Sequence, residues 1–233
     1  MVTKPTGISL FLYLMIAASL IHDSLSPLRL TDTVSAALEY MHAMRVSELP
    51  VVDNNRLHNY ARAINLLQEK PDTRLTEILP FNPHAPFALT QQHIYEVIPL
   101  MVAADLEVMA VANEQAQIIG IIDQRKIHEN ISQSLTYKGM GAVLVVLAEP
   151  RDFAPSHIMR LVEENGAKVL GMMVNQTEAG NLLVSLKLNT TLVKGIVASL
   201  SRFGFKTEDV YMSEDFNRQD NSEYESVLRF FDI

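Results

Sequence analysis

The feature that most constrains this chain is an internal repeat at an offset of 60 residues. Three pairs of segments correspond: 33–41 with 93–101, 46–53 with 106–113 and, after one extra residue in the second copy, 59–61 with 120–122. A repeat of this length indicates a duplicated supersecondary unit, each copy being too small to bury its apolar face alone. We therefore expect the two copies to pack against each other, with clefts for a small ligand between them.

Each copy changes from a helical to a strand pattern. Apolar residues recur at helical spacing from Val34 to Met41, and Thr31 or Asp32 is placed to cap the helix start. The β-branched run at 49–52 predicts a strand that ends in a turn. The second copy predicts the same order, with a helix at 92–104, strands at 108–112 and 117–122, and a helix at 124–133.

A different pattern follows a predicted linker at 135–141. Strands and helices are predicted at 142–148, 155–165, 167–176, 182–188, 191–203 and 205–212, with one more short helix at 222–231. The order βαββαβ is typical of a ferredoxin-like sandwich, an antiparallel sheet with both helices on one face. The fold class predicted for the whole chain is therefore mixed α/β, of the α+β type.

The composition excludes several functions. The 233 residues include no cysteine, so disulfides, thiolate metal sites and cysteine nucleophiles are ruled out. The absence of cysteine fits a reducing compartment. The net charge of −8 and the lack of any basic run disfavour nucleic acid as a partner, because phosphate backbones require clustered Lys and Arg.

No catalytic or metal-binding pattern stands out. The seven histidines do not pair with one another or with carboxylates at a metal-binding spacing. The sequence contains no Walker loop, no Gly-x-Gly-x-x-Gly and no Gly-x-Ser-x-Gly. We therefore predict a protein that is not an enzyme and carries no cofactor or metal.

The N-terminus allows two interpretations. Lys4 precedes an apolar stretch at 8–21, which at about 14 residues is short of the roughly 20 that a membrane span needs. The basic start and the small residues at 17–19 are compatible with a signal peptide and an exported protein. In the other interpretation, which we favour, the folded domain begins at Met15 and residues 1–14 are an extension or a start-site artefact.

Residues 15–134 resemble a tandem pair of CBS domains (a Bateman module), and residues 140–213 resemble an ACT domain. The CBS resemblance is carried by Thr33-Val34, by the run 46–53 (VSELPVVD) and by Gly120-Ile121-Ile122. Residues 15–33 are similar to the opening of bacterial CBS–ACT proteins, including relatives of the acetoin-utilisation accessory protein, which begin at a methionine equivalent to Met15. The resemblance implies repeat 1 at about 15–70, repeat 2 at about 75–134, the ACT-like domain at 140–213 and an acidic tail at 214–233.

The CBS resemblance implies an adenosine nucleotide or a related metabolite in the two clefts. The cleft residues that it suggests are Pro27, Leu28, Ser47, Pro50, Arg62, Asn65, Asp123 and Lys126. The family's nucleotide-binding element has a hydroxyl and, three residues later, an Asp; this chain has Arg62 and Asn65 in the first copy, and Asp123 and Lys126 in the second. Asn65 binds a ribose more weakly than a carboxylate does, and Asp123 repels a phosphate.

The ACT resemblance implies an amino-acid site at the first loop of that domain. Glu149 or Asp152 would meet the ammonium group, and Arg151 the carboxylate. This loop lacks the glycine that the family usually carries there, so close approach of a ligand to the backbone is harder.

The function predicted from the sequence is a cytoplasmic regulatory or sensor protein. It would bind a metabolite in the CBS clefts and signal through the ACT-like domain or a partner, without nucleic acid or membrane. Two alternatives stay open: a structural or interaction protein with closed clefts, and amino-acid sensing by the ACT-like domain. A homodimer is expected in each case.

Overall fold

A computed structural model describes residues 15–212, which divide into two compact units after Ile131. The predicted N-terminal extension at 1–14, the acidic tail at 214–233 and its helix at 222–231 lie outside the described residues. Within the described range, no helix is long and apolar enough to cross a membrane.

The first unit contains two copies of one βαββα motif. The first copy consists of β1 (Leu28–Arg29), α1 (Val34–Met44), β2 (Glu48–Asp53), β3 (Arg56–Arg62) and α2 (Ala63–Leu66). After α3 (Leu75–Ile78), the second copy consists of β4 (Ala88–Leu89), α4 (Ile94–Ala103), β5 (Val108–Ala112), β6 (Ile118–Asp123) and α5 (Gln124–Ser132). Each copy forms a three-stranded sheet, with the first pair of strands parallel and the second antiparallel. The duplication predicted from the sequence is confirmed.

The two copies share backbone details that the sequence does not show. The ladder between the antiparallel strands shifts register after Val51 in one copy and after the equivalent Val111 in the other. Arg45, directly after α1, and its equivalent Asp105, two residues after the end of α4, both adopt the left-handed conformation, with φ of 57° and 52°. Such matching irregularities are typical of a duplicated unit rather than of two similar folds.

The extra residue of the second copy lies in its hairpin turn. The first hairpin turns through Asn54 and Asn55, both at positive φ, as a tight two-residue turn requires. In the second hairpin the Asn113 side chain accepts hydrogen bonds from the backbone N–H groups of Gln115 and Gln117, which closes a longer loop. The insertion is thus absorbed next to the turn, where the ladder of the second hairpin ends one pair earlier than that of the first.

The cap predicted for α1 was wrong by one or two residues. The helix begins at Val34, and the residue directly before it, Thr33, accepts a hydrogen bond from the N–H of Ala36 at 3.3 Å. Asp32 instead accepts from the N–H of Arg29, which closes the turn after β1. Since a capping side chain must reach the first-turn N–H groups, it must stand immediately before the helix.

Each copy is completed by a segment that precedes the other copy. A 3-10 helix at Ala17–Leu20 packs on the second copy: Ala17 donates its N–H to the carbonyl of Gln92, and both Ala17 and Leu20 are fully buried in that core. Reciprocally, the N–H of Val34 donates to the carbonyl of Thr73, in the segment before the second copy. Cleavage after residues 17–19 would remove part of a core, so this segment belongs to the folded unit.

The two copies meet along β2 and β5. Tyr60, on β3, packs against the cores of both copies. The first core also takes in Val108 and Ile121 from the second copy. Neither copy therefore has a complete apolar core of its own, as the length of the repeat predicts.

The second unit has the predicted order βαββαβ. Its elements are β7 (Ala142–Ala148), α7 (Pro155–Glu164), β8 (Val169–Gln176), β9 (Leu182–Leu188), α8 (Lys194–Arg202) and β10 (Lys206–Met212). The sheet is antiparallel with the order β10-β7-β9-β8, and α7 and α8 pack on the buried face of β7 and β9. The predicted α+β class is confirmed.

The predicted linker at 135–141 is not extended. It contains a one-turn helix, α6 (Leu135–Lys138), that packs on β8, where the Thr136 hydroxyl donates to the carbonyl of Leu170 at 3.0 Å. Gly171 allows this approach, because a Cβ there would come within 2.4 Å of the Thr136 side chain. The polar, glycine-containing sequence was interpreted as a linker because a single turn leaves no periodic pattern.

Candidate functional site

A cavity of about 400 Å³ lies between the two copies, at the end of β3. The lining residues come from β3 and α2, from the segment before β4, and from the end of α4: Asn59, Tyr60, Ala61, Arg62, Asn65, Leu66, Glu69, Ile78, Leu79, Pro80, Asn82, Pro86, Ala104 and Leu106. This volume lies within the range of small-molecule sites. We call it the first cleft.

Arg62 closes one side of the first cleft. Its guanidinium lies 3.2 Å from a Glu48 carboxylate oxygen and 3.1 Å from a carboxylate oxygen of Asp105. It also donates to the carbonyls of Ala104 and Asp105, at 3.3 and 2.8 Å. These carbonyls lie just beyond the end of α4, where a helix favours a cation. Arg62 thus has four contacts within its own chain, and a phosphate would have to compete with them.

Glu48 is buried, with a side chain only 4% exposed. Burial raises the pKa of this carboxyl, while backbone hydrogen bonds and the Arg62 charge oppose the rise. Its carboxylate accepts the backbone N–H of Glu107 at 2.7 Å, and the Glu107 side chain in turn accepts the Ser47 hydroxyl at 2.6 Å. Glu48 and Arg62 therefore connect the first copy to the end of α4 and the start of β5 in the second.

Tyr60 fills the back of the first cleft. Its hydroxyl donates to the carbonyl of Pro86 at 2.8 Å and accepts the N–H of Ala110 at 3.0 Å. Burial raises the pKa of this phenol, so it remains a neutral donor over the physiological range. The hydroxyl occupies a backbone acceptor and donor that a ligand would otherwise meet.

The remaining polar groups of the first cleft are amides and one carboxylate. The Asn59 side chain donates to the carbonyl of Pro80 at 2.9 Å, and the Asn82 side chain accepts the N–H of His84 at 3.0 Å. Asn65 and Glu69 are exposed at the mouth, and among the described residues neither side chain has a hydrogen-bond partner.

A smaller cavity of about 280 Å³, the second cleft, lies at the end of β6 in the second copy. Its lining residues are Arg45, Val46, Glu107, Val108, Asp123, Gln124, Arg125 and His128. Asp123 is buried and accepts the N–H of Lys126 at 2.6 Å, so it caps the start of α5. The sequence predicts that this carboxylate repels a phosphate; in the structure it serves as the N-terminal cap of α5.

The two clefts carry reversed charges at equivalent positions. Arg62 at the end of β3 corresponds to Asp123 at the end of β6, and Asp105 after α4 corresponds to Arg45 after α1. In the first cleft this pair forms an ion pair. In the second cleft both residues line the cavity, and the described residues include no ion pair between them.

The structure brings together only part of the predicted cleft set. Arg62 and Asn65 share the first cleft, and Asp123 lies in the second. The other five predicted residues line neither of these described cavities: Leu28 and Pro50 are buried, Pro27 and Lys126 are half-buried, and Ser47 is exposed. The sequence analysis did not predict Tyr60 and Glu69 as cleft residues. Tyr60 could have been found, because the equivalent position in the second copy is the aliphatic Ile121, and this difference between the copies is visible in the sequence.

A third cavity, of about 460 Å³, lies within the second unit. It is lined by Leu147, Ala148, Glu149, Asp152, His157, Asn181, Phe203, Gly204, Phe205 and Lys206. Glu149 and Asp152 were predicted here, whereas Arg151 does not line the cavity and instead contacts their carboxylates at 2.8 and 3.6 Å. His157 packs edge-on against Phe203 and Phe205, with ring centroids 5.1 and 5.7 Å away.

Replacement of Arg45 by glycine tests the left-handed position after α1. We expect Arg45→Gly to stabilise the first unit by about 1 kcal/mol, because glycine adopts positive φ without a steric cost. Asp105→Gly relieves the same backbone cost but removes the ion pair with Arg62, so its gain should be smaller. Urea denaturation of both variants measures the difference; an equal gain in both would contradict a contribution from the ion pair.

No protein-family model matches the sequence, and no curated protein is significantly similar to it. Solved structures with a similar fold include the cytosolic domain of the Mg²⁺ channel MgtE in complex with ATP, with 26% identity and a TM-score of 0.42 over 49% of this chain and 48% of that one. A CBS domain pair/ACT domain protein from Thermotoga maritima matches with 15% identity and a TM-score of 0.45, over 50% of this chain and 96% of that one.

A third similar structure is CBSX2 in complex with AMP, with 16% identity and a TM-score of 0.43. That match covers 51% of this chain and 96% of the other. Each of the three likenesses thus extends over about half of this chain. The match to MgtE also covers less than half of the channel's cytosolic domain.

Proposed function

We propose that this chain is a non-catalytic regulatory protein, built from a CBS-domain pair and a C-terminal ACT-like domain. It binds an adenosine-type metabolite, a nucleotide or a related compound, between the two copies of the repeat. The observation that carries the proposal is the first cleft. It lies between two copies of one motif and is lined by the end of β3 and by α2, the segment in which the family resemblance locates its ligand element.

The cleft is built so that a ligand acts on both copies at once. Asn65 and Glu69 belong to the first copy, whereas Ala104 and Leu106 follow α4 of the second. A ligand that contacts both sides favours one relative arrangement of the copies over others, which is the thermodynamic basis of a sensor. The C-terminal unit or a partner protein would receive the change. A homodimer and a cytoplasmic location are part of this proposal, the latter supported by the cysteine-free sequence.

Thermal denaturation with a panel of compounds tests the proposal. The panel contains adenosine, AMP, ADP, ATP, S-adenosylmethionine and the common amino acids. A compound at 100 times its Kd stabilises the folded protein by about 2.7 kcal/mol, which raises the Tm by several degrees. A Tm unchanged by every adenosine-type compound would contradict the proposal and favour a structural protein with closed clefts.

A second candidate function, amino-acid sensing, rests on the cavity of the second unit. Glu149 and Asp152 supply carboxylates for an ammonium group, and Lys206 supplies a cation for a carboxylate. The amino-acid arm of the panel distinguishes the two candidates. A Tm rise caused by an amino acid and lost in Asp152→Asn would support the second.

A further inference from the structure

We propose that the first cleft selects a phosphate-free ligand, an uncharged or cationic molecule of nucleoside size, and disfavours nucleotides. This inference rests on the proposed function and narrows the ligand class of the same site. It follows from the charges around the cavity, the engagement of Arg62 and the character of the remaining polar groups.

The charges around the first cleft are predominantly negative. Arg62 is the one cationic side chain among the described lining residues, and it is shared between the carboxylates of Glu48 and Asp105. Glu69 adds a third carboxylate at the mouth. Glu48 and Asp105 are bonded to Arg62 without lining the cavity themselves. Counted together with Glu69, the three acids around one base leave an excess of negative charge in this region, which repels a phosphate at short range.

Backbone carbonyls add to the negative potential around the first cleft. Ala104 follows the last residue of α4 and lines the cavity, so the negative end of that helix is directed toward this region. Arg62 covers the carbonyls of Ala104 and Asp105. To turn its whole guanidinium toward a phosphate, Arg62 would have to leave these carbonyls and the buried Glu48, and an unpaired buried carboxylate is strongly unfavourable.

The groups that remain suit a neutral polar molecule. Asn65 has a free amide, which both donates and accepts, and Glu69 accepts hydrogen bonds from hydroxyl or amino groups. Leu66, Ile78 and Leu79 supply an apolar surface for a flat ring. Ribose hydroxyls and a heterocycle match this lining, and a sulfonium or ammonium group would gain from the nearby acids.

The second cleft provides an internal contrast. Arg45 and Arg125 line it beside the carboxylates of Glu107 and Asp123, and neither arginine is engaged in an ion pair with a described residue. Any affinity of the first unit for phosphate is therefore expected there.

Isothermal titration of the full chain with adenosine and AMP tests the inference, because the two ligands differ only in the phosphate. We expect adenosine to bind at least roughly tenfold more tightly than AMP. S-adenosylmethionine, which also lacks a phosphate, should likewise bind more tightly than AMP. Asn65→Phe, which fills the mouth of the first cleft, should abolish adenosine binding. Arg125→Phe, at an exposed residue that lines the second cleft, is the matched control and should retain it.

Charge reversal at Glu69 gives an independent readout. Glu69→Lys should shift the preference toward AMP by roughly tenfold, while Glu114→Lys, an equal change in charge in the second hairpin, should leave the ratio unchanged. Tighter binding of AMP than of adenosine at a site blocked by Asn65→Phe would overturn the inference and leave the proposed function standing. Adenosine binding that is blocked by Arg125→Phe and retained in Asn65→Phe would place the ligand in the second cleft, and it would also overturn the inference and leave the proposed function standing. If no adenosine compound binds at all, both the inference and the proposed function are wrong.

Discussion

Replacing Arg62 by alanine should destabilise the first unit by about 3 kcal/mol at neutral pH. The substitution leaves Glu48 buried without its cation, and breaking a buried ion pair from one side costs about 3–5 kcal/mol. Arg62 is itself 37% exposed, so we expect the lower end of that range. Urea denaturation followed by circular dichroism measures the loss. Arg56→Ala, on the same strand and exposed, is the matched control and should change stability by less than about 0.5 kcal/mol.

The loss in Arg62→Ala should depend on pH in a defined direction. Burial raises the folded-state pKa of Glu48 above the unfolded value of 4.5, so its ionised form weakens folding, and this effect grows as the pH rises through the folded-state pKa. Without Arg62 the pKa rises further. The difference in unfolding free energy between the wild type and the variant should therefore shrink as the pH falls toward 4.5.

A variant of Glu48, the carboxylate partner of Arg62, completes this test. Glu48→Gln removes the charge and leaves a side chain that still accepts the N–H of Glu107. The double variant should lose less stability than the sum of the two single variants, because the buried charge is gone. Additive losses, or a loss in Arg62→Ala that is independent of pH, would show that Arg62 does not stabilise the buried charge of Glu48.

Removing residues 1–22 should unfold the first unit. Such a chain lacks Ala17 and Leu20, which are fully buried against the second copy. Loss of a buried leucine alone costs about 2–5 kcal/mol, and the missing segment also donates backbone hydrogen bonds to Thr90 and Gln92. The sum approaches the whole stability of a typical domain, about 5–15 kcal/mol. Circular dichroism melting and limited proteolysis would detect the change.

The matched control for this deletion is a chain that begins at Met15. It retains the 3-10 helix and should melt like the full chain. Leu20→Ala provides a milder version, with an expected loss of about 3 kcal/mol, to be compared with Ile119→Ala at a residue 49% exposed. Equal melting of the chains beginning at Met15 and Asp23 would contradict the assignment of this segment to the second core.

The repeat was predictable from sequence because both copies place apolar residues at equivalent positions. Val34 and Ile94 begin equivalent helices, and Val51 and Val111 occupy equivalent places in the central strands. The exchange of segments between the copies was not predictable. Ala17 and Leu20 belong to an apolar stretch that is equally consistent with a signal peptide. Only their long-range packing on the second copy distinguishes a folded segment from a signal peptide.

The candidate site was predictable in position but not in chemistry. The family resemblance pointed to Arg62 and Asn65, and both line the first cleft. Glu48 lies opposite Arg62 across the hairpin of the first copy. Asp105 is 43 residues away along the chain and reaches Arg62 only through the packing of the two copies, so the sequence does not show this second contact. Charge at a motif position therefore predicts ligand chemistry only when its internal partners are known.

The exchanged segment imposes an order on the synthesis of the protein. Leu20 leaves the ribosome before the strands of the second copy that cover it, which end at Asp123. At about 5–20 residues per second, the intervening 100 or so residues take roughly 5–20 s to translate. During that interval the apolar stretch from Met15 to Ile21 has no native partner in the nascent chain. This apolar segment therefore leaves the ribosome well before its native partners are made, in the form that a chaperone bound at the ribosome exit recognises.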